Sequence, residues 1–192
     1  MWGRVAAFAC LTKGERVEDV AAFLEPGLLD ALPGIVRMLN KWLSADELHV
    51  LRAFIGAGVR FVIIGGRAVQ FHGHNRPTED LDLLIETSPQ NGNRLLEALK
   101  SLGTEFTEPD VAEKLSEDRR AKGSVCFYPV EYLTAINAVP FMDAWADAVP
   151  ATVGCITVHV LSKPHLILSK QNTGRALDAE DVKALSECSL AG

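Results

Sequence analysis

Two acidic residues, Asp80 and Asp82, are separated by one residue in the otherwise apolar segment DLDLLI. This alternation predicts a β-strand, in which side chains two residues apart lie on the same face. At a rise of about 3.3 Å per residue, the two side chains stand roughly 6–7 Å apart at Cβ. Carboxylates at that separation can converge on a pair of Mg²⁺ ions, which lie about 3.5–4 Å apart in two-metal sites.

A glycine pair, Gly65-Gly66, follows the apolar segment Val59–Ile64, which predicts a short buried strand. Glycine lets the chain turn sharply there because it has no Cβ, and a helix is predicted from Arg67 to about Phe71. Backbone N–H groups at such a strand–turn–helix junction favour anions, above all phosphate. A phosphate-binding turn and a metal-binding acidic strand together indicate phosphoryl or nucleotidyl transfer.

Each half of this pattern also has a purely structural interpretation. The glycine pair could be an ordinary strand-to-helix turn, and Asp80 and Asp82 could form the solvated face of a strand. The two halves occur together, on the expected elements, with 13 residues between them. That combination favours a site for phosphoryl or nucleotidyl transfer over two unrelated structural features.

The order Ile64-Gly65-Gly66, then Asp80-Leu81-Asp82-Leu83, resembles the signature of the nucleotidyltransferase-fold superfamily. The wider segment GGRAVQFHGHNRPTEDLDLLI is similar to a small bacterial and archaeal branch that includes AbiEii-like and MenT-like toxins. Two further similarities, VEYLTAI with VPFMDAW and a K…R…D…D tail, extend the resemblance over roughly residues 46–187. It implies an α/β (α+β) nucleotidyltransferase fold, with a small mixed sheet flanked by helices.

The resemblance also implies a third acidic ligand at Glu131, where relatives usually carry Asp. Glutamate is one methylene longer and remains a hard oxygen ligand for Mg²⁺. The same residue would accept the proton of the attacking hydroxyl, so an error of about 1 Å there could cost about a hundredfold in rate. The predicted catalytic and metal-binding residues are Asp80, Asp82 and Glu131, with two Mg²⁺ ions, or Mn²⁺, as cofactors.

Glycine, threonine and basic residues make up the predicted nucleotide-binding set. Arg76 could meet a triphosphate or pair with a carboxylate of the site, and Thr78 lies on the strand face of the two aspartates. In the tail that resembles the family, Lys170 is the best candidate for a triphosphate contact; Arg175 and Asp178 could order Lys170 or pair with each other. The whole set is Gly65, Gly66, Arg67, Arg76, Thr78, Lys170 and Arg175.

Helical spacing of apolar residues predicts helices through residues 14–57, with breaks at Pro26-Gly27 and Pro33-Gly34. Ser44 and Glu47 have the spacing of a capping box, which predicts a helix start. We therefore divide the chain into an N-terminal helical extension, residues 1–45, and a nucleotidyltransferase-fold domain, residues 46–192. Within that domain, residues 91–102 predict a crossover helix, and residues 152–161 predict an edge or hairpin strand.

Composition narrows the class of protein further. The 192 residues are 48% hydrophobic and 23% charged, which is typical of a globular chain. A formal net charge of −6 gives no support for broad electrostatic capture of nucleic acid. The four cysteines lack metal-ligand spacing, and no segment reaches the roughly 20 apolar residues of a membrane span. We therefore predict a cytoplasmic protein without a membrane segment.

The resemblance implies an enzyme that moves a nucleoside monophosphate from an NTP to a hydroxyl-type acceptor on a tRNA, a protein or a small molecule. The toxins of this branch suggest a toxin–antitoxin role with an antitoxin-like partner, and the N-terminal helices could instead mediate a homo-oligomer. Two alternatives stay open. One is a catalytically degenerate module that binds nucleotide or protein, motivated by Glu131, and the other is a Mg²⁺-dependent phosphohydrolase or nuclease.

Overall fold

The computed structural model describes residues 42–104, 120–125 and 128–187, with side chains of the last range described from residue 130 onward. The helices predicted before residue 42 lie outside these residues, so the division into an extension and a domain stays a prediction. One large unit, Trp42–Ala151 together with Thr157–Gly192, contains every residue of the site discussed below.

The described strands form one mixed sheet, and helices flank it, which confirms the predicted fold class. The described strands pair in the order β3-β4-β2-β1-β6-β5. The β1–β2 and β3–β4 pairs are antiparallel, whereas β2–β4 and β1–β6 are parallel. The elements are α1 (Ala45–Gly56), β1 (Phe61–Ile63), α2 (Gly65–Phe71), β2 (Leu81–Ile85), α3 (Pro89–Ser101), β3 (Arg120–Val125), β4 (Tyr128–Leu133), α4 (Phe141–Ala146), β5 (Val149–Val153), β6 (Ile156–Val160), α5 (Lys163–Lys170) and α6 (Ala176–Glu187).

Helix α1 begins at the predicted capping box. The Ser44 hydroxyl accepts from the Glu47 N–H at 3.2 Å, and the Glu47 carboxylate accepts from the Ser44 N–H at 2.5 Å. These two bonds satisfy donors that a helix N-terminus otherwise leaves without partners. The helix then packs on the sheet through Phe54, whose ring lies 5.9 Å from that of Phe61 and 6.3 Å from that of Tyr132.

The segment that carries the signature, from β1 through α2 to β2, differs slightly from its sequence prediction. Strand β1 is shorter than predicted, and α2 begins at Gly65 itself rather than at Arg67. The helix begins early because Ile64, whose N–H still donates to Asp82 O, already accepts the first helical bond from the Ala68 N–H. The glycine pair therefore forms the first turn of a helix, directly beside β2.

The segment predicted as one edge or hairpin strand, residues 152–161, is a hairpin. Strands β5 and β6 meet at Gly154, which has a φ of +61°, and β5 lies at the edge of the sheet. Strand β6 pairs in parallel with β1 and leads into α5, which brings Lys170 toward the carboxyl end of β1. Among the described residues, no helix has the length and apolarity needed to cross a membrane.

Asn91, at the start of α3, is fully buried and ties β1 to β2 at the end of the sheet away from the glycine pair. Its Oδ1 accepts from the Arg60 N–H at 2.7 Å, and its Nδ2 donates to Arg60 O at 3.0 Å and Glu86 O at 2.9 Å. An Arg60–Glu86 ion pair lies at the same point. One side chain therefore satisfies three backbone groups.

Asn91→Ala is expected to lower the free energy of unfolding by about 2–4 kcal/mol, because it leaves buried backbone groups without partners. Urea denaturation of the variant measures the loss. The matched control is Asn93→Ala in the same helix, where the side chain is exposed, and it should change stability by less than about 0.5 kcal/mol. Equal stability of the two variants would contradict the role assigned to Asn91.

Candidate active site

Gly65 lies directly against the side chain of Asp82. Its φ is +58°, and a Cβ added there would stand 2.6 Å from Asp82 Cγ, inside any real carbon–carbon contact. The Gly66 N–H also donates to the Asp82 carboxylate. Glycine is therefore required by both the backbone conformation and the close approach, and the turn places backbone donors beside an acidic side chain.

Gly66 makes the second close approach, to the loop that precedes β2. An added Cβ would lie 2.6 Å from Thr78 Cβ, so the absence of a side chain lets Thr78 pack onto the first turn of α2. Thr78 lies before the strand begins, not on it, since β2 starts at Leu81. The glycine pair thus fixes the positions of both Thr78 and Asp82.

Strand pairing brings the predicted carboxylates together. Asp82 on β2 and Glu131 on the parallel strand β4 are paired residues, and their side chains share a hydrogen bond. Asp80 immediately precedes β2 and is close enough for its charge to act on Asp82. Glu131 is buried, so its contact with Asp82 is shielded from solvent.

The pKa of Asp82 is raised from 3.8 to about 7, and burial is the largest cause. The hydrogen bond with Glu131 and the negative charges of Glu131 and Asp80 also contribute to this rise, whereas the Gly66 N–H acts against it. Two carboxyl groups this close cannot both ionise readily, so one proton belongs to the Asp82–Glu131 pair. The site is therefore poised to release a proton when a cation arrives.

A second charged cluster faces the carboxylates. Asp181 on α6 is fully buried and accepts two hydrogen bonds from the Arg76 guanidinium, at 2.7 Å and 2.9 Å. The Lys170 ammonium lies 2.9 Å from Asp181 Oδ2 and 2.7 Å from Asp178 Oδ1. Lys170 is 9% exposed and the Arg76 side chain 14%, so the ion pairs hold both cations in fixed positions.

The two aspartates of α6 are kept ionised by their partners. Burial alone raises the pKa of each, but hydrogen bonds and charges from Lys170, with Thr173 at Asp178 and Arg76 at Asp181, outweigh it and lower both values. The sequence singled out Lys170 and left the role of Asp178 open; Asp178 does pair with Lys170. Asp181 is the last position of the tail that resembles the family, but the sequence assigned it no role. The available signal was its spacing of three residues from Asp178, which puts both on one helix face.

Arg67, predicted to bind nucleotide, lies outside the cleft. Its Nε donates to Glu47 Oε1 at 2.5 Å, and its Nη1 donates to Gln70 Oε1 at 2.9 Å. Glu47 is fully buried and requires a cationic partner there. Gln70 in turn donates to Arg76 O at 2.6 Å, so Arg67 supports the loop that carries Arg76 and is not one of the residues that line the cleft.

A cleft of about 840 Å³ lies between the glycine turn, the acidic strands and the α5–α6 segment. Apolar side chains of β4, α5 and α6 line its remaining walls. Nine of the ten predicted site residues line it, Arg67 being the exception: Gly65, Gly66, Arg76, Thr78, Asp80, Asp82, Glu131, Lys170 and Arg175.

The carboxylates could hold Mg²⁺ if phosphate oxygens and water supplied the remaining ligands. Among the described side chains, no group of three or more His, Cys, Asp or Glu residues forms a complete metal site. Mg²⁺ is commonly held by one or two carboxylates together with phosphate oxygens and water, rather than by an all-protein cage. Asp80 and Asp82 supply such hard oxygen donors at the edge of an open cleft.

A family model described as "Nucleotidyl transferase AbiEii toxin, Type IV TA system" matches residues 49–151, more than half of the chain. The chain belongs to this family. The AbiEii match confirms the resemblance inferred from the motifs and supports a nucleotidyltransferase. It spans Gly65 to Glu131 but ends before Lys170 and Asp181. The assignment of the cationic residues of α5 and α6 to the site therefore rests on geometry alone. No curated protein matches the chain.

The raised pKa of Asp82 predicts a pH dependence that separates it from the α6 aspartates. Because the folded chain holds a proton that the unfolded chain releases, this stabilisation is complete below about pH 3.8 and is lost as pH rises through about 7. Stability should therefore fall between pH 4 and 7, by at most about 1.4 kcal/mol per pH unit. Asp82→Asn should flatten this slope in urea titrations at several pH values, and an unchanged slope would contradict proton sharing at Asp82.

Proposed function

We propose that this AbiEii-family protein transfers a nucleoside monophosphate from an NTP to a hydroxyl-type acceptor and releases pyrophosphate, with Mg²⁺ as the cofactor. One observation carries the proposal: Gly65 lies against Asp82, and Asp82 against Glu131, at one side of a cleft. Backbone donors for phosphate and carboxylates for cations are thereby placed in contact, which is the arrangement that phosphoryl chemistry needs.

Each carboxylate has a distinct role in this proposal. Asp80 and Asp82 would hold the metal, which when bound neutralises phosphate charge and orients the polyphosphate. Glu131, buried beside Asp82, would complete the acidic set and accept the proton of the acceptor hydroxyl. Its hydrogen bond to Asp82 supports this role for the longer glutamate side chain.

The opposite wall would bind the polyphosphate. Arg76, Lys170 and Arg175 line the cleft, and Asp178 and Asp181 balance two of these three charges. One net positive charge remains on that wall, facing the acids. Such a balance suits a metal-bound triphosphate, because free polyanion would meet the carboxylates without enough countercharge. The Gly65-Gly66 turn would bind phosphate oxygens once a cation takes over Asp82.

The family description supports a toxin of a type IV toxin–antitoxin system, with an antitoxin as partner. The acceptor would be a hydroxyl of a tRNA, a protein or a small molecule. A net charge of −6 favours an acceptor that is recognised locally at the cleft over one captured by a broad basic surface.

Incubation of the full chain with each α-³²P- or γ-³²P-labelled NTP, Mg²⁺ and cell extract tests the proposal. Label from the α-phosphate on an acceptor, with release of pyrophosphate, supports nucleotidyl transfer. Release of free phosphate without a labelled acceptor would instead show a phosphohydrolase. Binding of NTP without either product would show a degenerate module. Chelation by EDTA should abolish transfer, and Mn²⁺ should restore part of it.

A further inference from the structure

A buried ion pair joins the start of α1 to α2, outside the cleft. Glu47 is fully buried, and the Arg67 side chain is 13% exposed. Both oxygens of the Glu47 carboxylate have partners: Oε2 accepts from the Ser44 N–H and Oε1 from Arg67 Nε, each at 2.5 Å. Capping of α1 requires only the first of these bonds, and burial of a charged pair costs solvation free energy. Helix capping therefore does not account for the bond to Arg67.

Arg67 sets the orientation of the Gln70 carboxamide. The two residues are three positions apart on α2, a spacing that brings their side chains together, and Arg67 Nη1 donates to Gln70 Oε1 at 2.9 Å. Because arginine can only donate hydrogen bonds, it holds the oxygen of the carboxamide toward itself. Gln70 Nε2 then donates to Arg76 O at 2.6 Å. The reverse orientation would place two oxygen atoms against each other at that point.

Arg76 is thereby held at its backbone as well as at its side chain. Its carbonyl accepts from Gln70, and its guanidinium donates twice to Asp181 and once to Pro77 O at 3.0 Å. A guanidinium has five N–H donors, so these three bonds within the described part of the chain leave two donors for a ligand in the cleft. The direction of those two donors depends on the position of the Arg76 backbone, which Gln70 fixes.

We propose that Arg67 and Gln70 are positioning residues, which raise the affinity of the cleft for polyphosphate by holding Arg76 in the orientation that binds it. The inference rests on the proposed function, in which Arg76 is one of the cations on the polyphosphate wall. Arg67 and Gln70 are not among the residues that line the cleft, so they act through Arg76 and not on the ligand. Glu47 anchors the arrangement, because it binds Arg67 Nε while Nη1 binds Gln70.

Calorimetric titration of the full chain with inorganic tripolyphosphate in Mg²⁺ measures this affinity without a contribution from base or sugar. Gln70→Met keeps the length of the side chain and removes its donor, and it should weaken binding about fivefold, the effect of one hydrogen bond. Arg67→Lys keeps the positive charge beside Glu47 but cannot bridge Glu47 and Gln70 as a planar guanidinium does, so its effect should be similar. Arg52→Lys, at an exposed position of α1, is the matched control and should bind tripolyphosphate like the parent.

Two further measurements separate positioning from a general loss of structure. In an Arg76→Gln background, Gln70→Met should weaken binding no further, because no guanidinium remains to be positioned. In labelled transfer by the single variants, KM for the NTP should rise by the same factor as the tripolyphosphate Kd, with kcat changed less than twofold. That split is expected when a contact made equally in the ground state and the transition state is lost.

Three results would overturn the inference alone, in a parental chain that transfers nucleotide. They are parental affinity for tripolyphosphate in Gln70→Met, an undiminished effect of Gln70→Met in the Arg76→Gln background, and a loss of kcat with unchanged KM in either single variant. A parental chain that neither binds tripolyphosphate nor transfers nucleotide would overturn the proposed function as well.

Discussion

Asp82→Asn is expected to lower nucleotidyl transfer by about a thousandfold or more while the protein stays folded. The substitution keeps the shape of the side chain but removes the charge that would hold a metal ion. Loss of one electrostatic contact to a reacting phosphate costs about 10²–10³ in rate, and loss of a metal ligand adds to that cost. Asp80→Ala should have an effect of the same order, because Asp80 lines the same cleft and is the other proposed metal ligand.

The stability of Asp82→Asn distinguishes a functional residue from a structural one. Because burial and two neighbouring acids raise the pKa of Asp82 to about 7, the folded protein already favours a neutral side chain at this position. The variant should therefore be as stable as the parent at pH 7, or more stable. A residue that matters for folding would show the opposite, with activity and stability lost together.

Labelled transfer at saturating NTP and urea denaturation at pH 7 measure the two quantities. Asp143→Asn is the matched control, because Asp143 is an exposed acid on α4 outside the cleft. It should keep the parental rate. A double Asp80→Ala/Asp82→Ala variant that still transfers nucleotide at the parental rate would show that these residues are not the metal ligands.

The acidic strand and the glycine turn could be predicted because their signals are local. Alternation along DLDLLI placed Asp82 on a strand face, and the glycine pair marked a turn that tolerates no Cβ. The pairing of Asp82 with Glu131 depends on which strands become neighbours. Spacing along the chain does not contain that information, and it became predictable only through resemblance to a family.

The partners of the charged residues were the least predictable feature. Arg67 follows the glycine pair directly, yet it binds Glu47, which lies 20 residues earlier in the sequence. Arg76 binds Asp181 at the other end of the chain. A buried carboxylate pairs with whichever cation the fold brings within reach, and that choice is made by the packing of helices. Side-chain type alone therefore identified the cations but not their roles.

Asp181→Ala is expected to lower the free energy of unfolding by about 3–5 kcal/mol, because it leaves buried cations without their partner. Asp181 is fully buried and binds both Arg76 and Lys170. Transfer should fall as well, since the two cations proposed to bind the polyphosphate would lose their fixed positions. Urea denaturation and labelled transfer measure both effects. Glu180→Gln, at the exposed neighbouring position of α6, should change neither.

Acid titration tests whether charge pairing, rather than side-chain volume, carries this effect. The pKa of Asp181 is lowered in the folded protein, so its stabilisation is present above the unfolded pKa and is lost as pH falls through the folded one. The parental chain should therefore lose stability below about pH 4, and Asp181→Asn, which keeps the volume, should lose less over the same range. An Asp181→Asn variant with the full parental stability at pH 7 would show that Arg76 and Lys170 do not depend on this carboxylate. Asp181 makes the protein less stable as the pH falls, whereas Asp82 makes it less stable as the pH rises. The contributions of the two walls of the cleft can therefore be measured separately.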